Sequence, residues 1–403
     1  MNIITLILNA PLTFITIVLV VNTIACVCSG TIALKIYTLP QLMTYCLITN
    51  TTKRPFAIDT EANVTIILNE NINTLGNPNP IRDNTIIPFR KQYMNAIEYE
   101  VNWKLFGQYD NTFPLNNFNF YLIQTDSTFF GYASLPFAHS FTDHKYSLIH
   151  NLYNSGVITN KRFSIWKPPL SFYDHLMFIG DVPSNYTNNT LYNEYAFNIK
   201  PNALYWESSD FEAFIISSSP TENTTYINHH PLIFSINSQV IYVPPDMYRV
   251  IVDNYLHSFI YDGLCSKSGS TIECQCSCLK YLGNITFVFD NVQLRLTAND
   301  LFVESEEFEC FFIIYENNDK QVDHNTWMIG MSGVLWEHII TFDHDVHQVK
   351  IYSSNKHKRY TYTRSHSTSS LLHKHHQQQQ QLFVYVIILL LIFTIYLIYK
   401  HIS

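Results

Sequence analysis

The sequence predicts an all-β body held between two apolar ends, and three observations predict it. Residues 285–289 (Ile-Thr-Phe-Val-Phe) and 292–296 (Val-Gln-Leu-Arg-Leu) alternate about the pair Asp290-Asn291, which is a hairpin signal. Only two stretches carry helical spacing, and many strands with few, late helices suit a sandwich or barrel class. Hydrophobic residues make up 47% of the 403 and aromatic residues 15%, enough apolar surface for a sizeable core, so disorder throughout is excluded.

The elements follow in chain order. Residues 3–27 are nearly all apolar and run into the small-residue stretch 25–30, which suits a cleavage site and assigns residues 1–30 to a signal peptide. The segment is long and lacks a basic residue near its start, so an uncleaved anchor is the alternative. Residues 31–352 read as β-rich. Within them Leu148, Ile149, Leu152 and Tyr153 recur at helical spacing, with Gly156 where a helix would stop. After Pro244-Pro245, Met247, Tyr248, Ile251, Val252 and Tyr255 repeat that pattern. Residues 342–352 form a second hairpin, turning at His344-Asp345. Residues 353–381 are rich in Ser, Thr, His and Lys, close in Gln377–Gln381, and cannot bury a core; they read as a stalk.

Residues 382–399 are an apolar run long enough, at roughly 27 Å as a helix, to cross a bilayer core, and 400–403 would be a cytoplasmic tail. Five basic residues in the stalk run against the positive-inside tendency, but long loops cross regardless of charge. Six N-x-S/T sequons, at Asn50, Asn63, Asn185, Asn188, Asn223 and Asn284, suit a lumenal chain, as do six cysteines between the apolar ends. The expected topology is single-pass type I, with the ectodomain lumenal or extracellular. A GPI signal is the rival anchor, since Ser367-Thr-Ser-Ser370, a polar spacer and the apolar tail fit its plan.

Charge excludes one class of partner. The net charge is −8, but residues 353–403 hold six bases and no acid, which leaves a balance of −14 on residues 1–352. A body that acidic is no nucleic-acid binder, because phosphate contacts need clustered cations.

Stock catalytic motifs are absent: no G-x-S-x-G, no H-E-x-x-H, no P-loop and no G-x-G-x-x-G. The Cys274-x-Cys276-x-Cys278 cluster reads as disulfide-forming rather than zinc-binding in a secreted chain, and His373, His375 and His376 as part of a solvated stalk. No metal or cofactor is expected. One constellation remains. Phe56-Ala-Ile-Asp59-Thr60 sets a carboxylate at the end of an apolar strand, followed by Val64-Thr-Ile-Ile-Leu68. Alone, it reads as a strand ending in a turn-forming Asp.

Its neighbours add a resemblance. Residues 45–60 (Tyr45-Cys-Leu-Ile-Thr-Asn-Thr-Thr-Lys-Arg-Pro-Phe-Ala-Ile-Asp-Thr60) resemble the opening strands of pepsin-like aspartic peptidases, which lead into an Asp-Thr-Gly-Ser-Ser turn. Further pieces follow in that family's order: Phe130-Gly-Tyr-Ala-Ser-Leu135, the helix 147–158, Arg162-Phe-Ser-Ile-Trp166, and Phe178-Ile-Gly180 with Ser184-x-Tyr186. Trp327-Met-Ile-Gly330, Thr341-Phe-Asp343 and Val349-Lys-Ile-Tyr352 resemble its second-lobe signature. The resemblance implies a bilobal fold, with an N-terminal lobe over 31–165 and a C-terminal lobe over 166–352. It also implies a cleft that takes extended peptide, in which two carboxylates share one proton and activate a water.

The sequence departs from that pattern where the chemistry lies. Leu232-Ile-Phe-Ser235-Ile236-Asn237-Ser238-Gln239 stands where the second Asp-Thr/Ser-Gly turn should fall, so Ser235 occupies the second Asp position beside the first-lobe Asp59. A serine hydroxyl cannot share a proton as a carboxyl does. Glu61 replaces the first turn's Gly, and a glycan at Asn63 would crowd the cleft mouth. Thr60 and the flap tyrosine, matched to Tyr99, are the expected binding residues. The resemblance also implies a disulfide between Cys278 and Cys310, with Cys265 joining Cys274 or Cys276, and Cys46 taking the remainder or staying free. The expected function is a membrane-anchored, proteolytically silent homologue that binds extended peptide or protein segments. The alternatives are an active endopeptidase with an unusual second acid, for which Asp210 and Asp246 are the nearest substitutes, and a structural surface glycoprotein. Oligomeric state is not fixed by the sequence.

Overall fold

Strands form where buried and exposed side chains alternate or where short apolar runs are buried on both faces, and their registers define the architecture. The computed structural model describes residues 31–354 apart from 39–41, 48–51, 69, 71, 77, 90–91, 108–110, 125–132, 141–143, 167–173, 183–191, 218–222, 291, 305–308, 319–322 and 332–337. The expected signal segment, stalk, membrane span and tail, and the sequons at Asn50, Asn185 and Asn188, lie outside the described residues. The described body ends at Ser354. Among the described residues no helix is long and apolar enough to cross a membrane.

The body is mostly β with a few short helices. The strands of its first part are β1 (Thr31–Thr38), β2 (Leu42–Leu47), β3 (Lys53–Asp59), β4 (Thr65–Leu68), β5 (Asn79–Phe89), β6 (Gln92–Phe106), β7 (Thr112–Ile123) and β8 (Ala133–Pro136). Helix α1 (Leu148–Asn154) follows, then β9 (Arg162–Trp166), β10 (Asp174–Gly180), β11 (Tyr192–Asn198), β12 (Phe211–Ser217), β13 (Asn223–Ile227), β14 (Leu232–Ser235) and β15 (Ile241–Val243). After α2 (Pro245–Ile251) and α3 (His257–Tyr261) come β16 (Cys265–Ser268), β17 (Thr271–Gln275), β18 (Asn284–Phe289) and β19 (Val292–Thr297). The short α4 (Ala298–Leu301) leads to β20 (Phe302–Glu304), β21 (Glu309–Phe312), β22 (Ile314–Glu316), β23 (Trp327–Gly330), β24 (Ile339–Asp343) and β25 (Gln348–Ser354).

One sheet of 13 strands runs in the order β11-β25-β24-β9-β10-β1-β2-β3-β8-β4-β7-β6-β5. Three four-stranded sheets complete the body: β13-β12-β18-β19, β14-β23-β15-β22 and β16-β17-β21-β20. The boundary expected at residue 165 runs through the large sheet, where β9 pairs with both β10 and β24.

Both expected hairpins form. Asn284–Phe289 pairs with Val292–Thr297 and Ile339–Asp343 with Gln348–Ser354, in registers that put Ile285, Phe287, Phe342 and Val349 in the core. Ser147 caps α1, its hydroxyl accepting the His150 N–H, and Gly156 leaves the helix at φ +68°, a conformation that glycine adopts without a Cβ penalty. The second expected helix starts at Pro245, where a missing N–H costs nothing. A π turn over Val252–Leu256 then carries the chain into α3.

Aromatic side chains fill the core. Trp103 stacks on Phe120 at 5.1 Å and meets Phe56 at 5.4 Å, while Trp327 packs edge-on to Phe287 at 5.7 Å. Each such burial is worth roughly 1.5–3 kcal/mol. Glu98 is wholly buried and accepts from Lys145 Nζ, Tyr146 Oη and Asn119 Nδ2 at 2.8–2.9 Å. Burial alone would raise its carboxyl, but those hydrogen bonds and the Lys145 charge outweigh it and hold Glu98 below its ordinary value.

The cysteines pair as Cys265–Cys274 and Cys276–Cys310. Cys310 therefore takes Cys276 rather than Cys278, and Cys278 and Cys46 keep buried free thiols. The reason is register: β17 and β21 set Cys274 opposite Cys310 and Gln275 opposite Glu309. The chain leaves β17 at Cys276, still beside Cys310, and then turns into the short helix that carries Cys278.

Candidate functional site

Two segments of the body repeat one arrangement. In the first, β3 leads through a loop to β4, and β8 lies between them, parallel to β3 and antiparallel to β4. In the second, β14 leads through a loop to β15, and β23 lies between them with the same two senses. An outer strand flanks each set in parallel, β7 beside β4 and β22 beside β15. The registers fix the equivalence: Asp59 pairs with Pro136 at the end of β8, and Ser235 pairs with Gly330 at the end of β23. Ile66 and Tyr242, set opposite the second residue of β8 and of β23, lie at equal intervals beyond Asp59 and Ser235. Asp59, Thr60 and Glu61 thus correspond to Ser235, Ile236 and Asn237.

The loop ends differ in how closely backbone approaches. A Cβ built on Gly330 would lie 2.3 Å from Val240 O and 2.6 Å from Ser238 O, so no larger residue fits that crossing. In the first set the same place is filled by Pro136.

The structure brings the two loops together. Asn237 Nδ2 donates to Asp59 Oδ1 at 2.5 Å, and Ser235 Oγ donates to Glu61 Oε1 at 2.7 Å. In each loop, then, the third residue reaches the first residue of the other. Thr60, almost wholly buried, ties the backbones: its N–H donates to Asn237 Oδ1 at 3.1 Å, and its hydroxyl accepts the Ile236 N–H at 3.2 Å. Within the loops, the N–H groups of Glu61 and Ala62 donate to Asp59 Oδ1 at 2.8 and 3.0 Å, and the Asn237 N–H donates to Ser235 Oγ at 3.1 Å. Three donors therefore converge on one oxygen of Asp59. The group that reaches Asp59 Oδ1 from the second loop is an amide, which donates a hydrogen bond but does not ionise.

Tyr205 completes the site. It packs, as Tyr242 does, against Ile233 and Met328. Burial first, then the Glu61 and Asp59 carboxylates, raise its phenol above the ordinary value. The next residue, Trp206, donates its indole N–H to Phe137 O at 2.8 Å, and the Phe137 N–H in turn donates to Asp59 O at 2.8 Å.

Other expected site residues stand elsewhere. Tyr99 lies well inside β6, opposite Pro80 and stacked on Phe120 at 5.5 Å. The end of that hairpin, where Phe89 pairs with Gln92, has Tyr93 beside it, 80% exposed. Asp210 accepts from Ser208 Oγ at 2.7 Å and Asn198 Nδ2 at 3.2 Å, and Asp246 pairs with His230 at 3.3 Å. Asn223 is exposed on β13, Asn284 is half-buried at the start of β18, and Asn63 is half-buried in the Asp59 loop. Glu61, Asn237 and Tyr205 as site partners went unread, because the bonds that join the two loops span 174 and 178 residues and leave no local pattern. The two non-glycine residues at third loop positions were the one available signal.

The sulfur atoms of Cys265, Cys274 and Cys278 lie within 4.8 Å of one another, but two of them are bonded as a disulfide. No protein-family model matches the chain, and no curated protein matches it.

Proposed function

We propose that the chain is a bilobal, pepsin-like aspartic peptidase homologue, membrane-anchored on its stalk with the ectodomain lumenal or extracellular. In this reading it is proteolytically silent and holds extended peptide or protein segments in the cleft between its lobes. The observation that carries the reading is the paired arrangement of the Asp59 and Ser235 loops. They occupy matched registers and are bonded to each other, yet Asp59 faces the Asn237 amide where that chemistry requires a second carboxyl. Glu61 and Asn237, at positions where the family has glycine, fill the centre with side chains. Losing one member of a catalytic unit removes most of its rate. The edge strands of a cleft still offer backbone hydrogen bonds to an extended peptide, so binding survives where catalysis does not.

The test is the purified protein incubated with denatured protein between pH 3 and 6. No turnover is expected, together with saturable peptide binding by calorimetry. Turnover blocked by a transition-state mimic of aspartic peptidases would overturn silence, and absence of saturable binding would leave a structural glycoprotein.

One observation favours the active alternative. The Glu61 carboxylate stands at the Ser235 hydroxyl, so a second acid reaches the missing position from the first loop. That reading predicts acid turnover lost in both Asp59→Asn and Glu61→Gln, a pattern the silent reading forbids.

A further inference from the structure

The four-stranded sheet β13-β12-β18-β19 turns one face to the core and the other away from it. Phe214, Ile216, Ile285, Phe287 and Leu296 are buried on the inner face, where Tyr226 stacks on Phe214 at 5.1 Å. Side chains alternate along a strand and cross-strand partners share a face, so the residues between these form the outer face in rows. One row is Ile227, Ala213 and Val288, with Ala213 paired to both neighbours. The next is Thr225, Ile215 and Thr286, and Arg295 pairs with Thr286 beyond it. The last is Asn223, Ser217 and Asn284.

Both asparagines of that last row open an N-x-T sequon, Asn223-Thr224-Thr225 and Asn284-Ile285-Thr286. They belong to different strands, yet each pairs with Ser217. Their backbones therefore stand two strand spacings apart on one face, about 10 Å. Sequence order separates the two sequons, and strand pairing makes them neighbours.

Their amides are set alike. Ser217 Oγ donates to Asn223 Oδ1 at 2.5 Å, and Thr286 Oγ1 donates to Asn284 Oδ1 at 3.3 Å. Each hydroxyl engages the amide oxygen, and among the described residues no acceptor takes either Nδ2. That nitrogen is the atom an N-linked sugar occupies. In the transfer, Nδ2 attacks the anomeric carbon of a diphosphate-linked oligosaccharide. An N–C bond forms, the C–O bond to the diphosphate breaks, the diphosphate leaves with the electron pair and the amide releases one proton.

The rows beside this pair are apolar. Ile227 is 69% exposed, and Ala213, Ile215 and Val288 are half-buried on the same outer face. Ile215 lies one row from the asparagines, about 7 Å along the strands, and Ile227 and Val288 lie two rows away, about 13 Å. The strand that carries Asn223 and Ile227 is also an edge of its sheet. An apolar face next to an open edge invites association, and a bulky, hydrated oligosaccharide over it prevents that.

We propose that Asn223 and Asn284 form a paired modification site, both carrying N-linked oligosaccharides that together cover the Ile215 and Ile227 rows and keep this face from associating with a second copy of the chain. The pairing rests on the lumenal or extracellular placement of the body and is independent of what the cleft holds.

The test uses the full chain expressed in eukaryotic cells and purified in detergent. Peptide mapping by mass spectrometry, before and after an enzymatic release that converts each sugar-bearing Asn to Asp, should find sugar on both Asn223 and Asn284. Sugar at Asn50, Asn185 or Asn188 with either member of the pair bare overturns the pairing alone. A chain bare at every sequon overturns the pairing and the lumenal placement together. In the double variant Asn223→Gln with Asn284→Gln, the concentration at which the protein self-associates in sedimentation should fall about tenfold or more. Adding Ile227→Lys should restore it. Association unchanged in the double variant, or a fall that Ile227→Lys leaves intact, refutes the cover. If the double variant does not fold, trimming the sugars of the folded wild type and of Ile227→Lys to one residue each gives the same comparison, with the same outcomes deciding.

Discussion

The Asp59 loop and the Ser235 loop share a frame and differ in chemistry. Each follows a buried strand, crosses the end of a partner strand, and sends its third residue to the first residue of the other. The frame keeps its registers, its equal spacing and its backbone tie through Thr60. The first positions hold an acid in one loop and an alcohol in the other, and the third positions hold an acid and an amide. Backbone geometry is set by strand pairing and close approach, whereas proton sharing depends on two side chains alone. A matched frame therefore does not require matched side chains.

The largest break in the comparison should come at the strand ends. Gly330→Ala forces a Cβ against two backbone carbonyls and should cost about 4 kcal/mol or more, or prevent folding, whereas Pro136→Ala at the matched place should cost about 1–2 kcal/mol. Guanidinium unfolding of the two variants measures the difference.

Covalent bracing comes next. Among the described residues both disulfides lie in the stretch between β15 and β22 of the second repeat, and none lies between β4 and β7 of the first. Removing Cys276–Cys310, which closes an interval of 34 residues, should cost about 4 kcal/mol, and removing Cys265–Cys274, with an interval of 9, about 2.5 kcal/mol. Thermal unfolding of the serine variants should rank them so.

Asn237→Asp would make the loops alike by setting a carboxylate against Asp59. At pH 7 two like charges in contact should destabilise by about 2–4 kcal/mol. One of the pair would then titrate high, so the deficit should shrink as pH falls through that raised midpoint. A deficit that stays constant from pH 7 to pH 4 would show that the two groups move apart.

The smallest effect belongs to Ser235→Ala, which removes a single hydroxyl from Glu61 and from the Asn237 N–H. About 1 kcal/mol is expected in urea unfolding. A loss three times larger would mean that the Glu61 contact, rather than Thr60, joins the loops.

Local features of the body were legible in the sequence. Period-two alternation found hairpins at 285–296 and 342–352, which the structure extends to 284–297 and 339–354, and helical spacing with Gly156 found α1. The interval between Asp59 and Ser235 was readable because apolar strands flank both. What stayed hidden depends on distance along the chain. Nothing near Glu61 announces Ser235, and nothing near Tyr99 announces that it pairs with Pro80 rather than lying at the hairpin end. The choice of Cys276 over Cys278 turned on where β17 stops, which spacing between cysteines does not reveal.

The 13-stranded sheet also imposes a timetable. Its β11-β25-β24 block attaches to the rest through β24 against β9, so strands made early wait for residues 339–354 before their edge is covered. During synthesis from the N-terminus, β9 stays an open edge until nearly the whole body has emerged, and contacts of such long sequence separation form slowly. Nascent chains stopped before residue 339 should therefore be caught by chaperones or proteases, which makes completion of the last hairpin the quality-control step for the entire body.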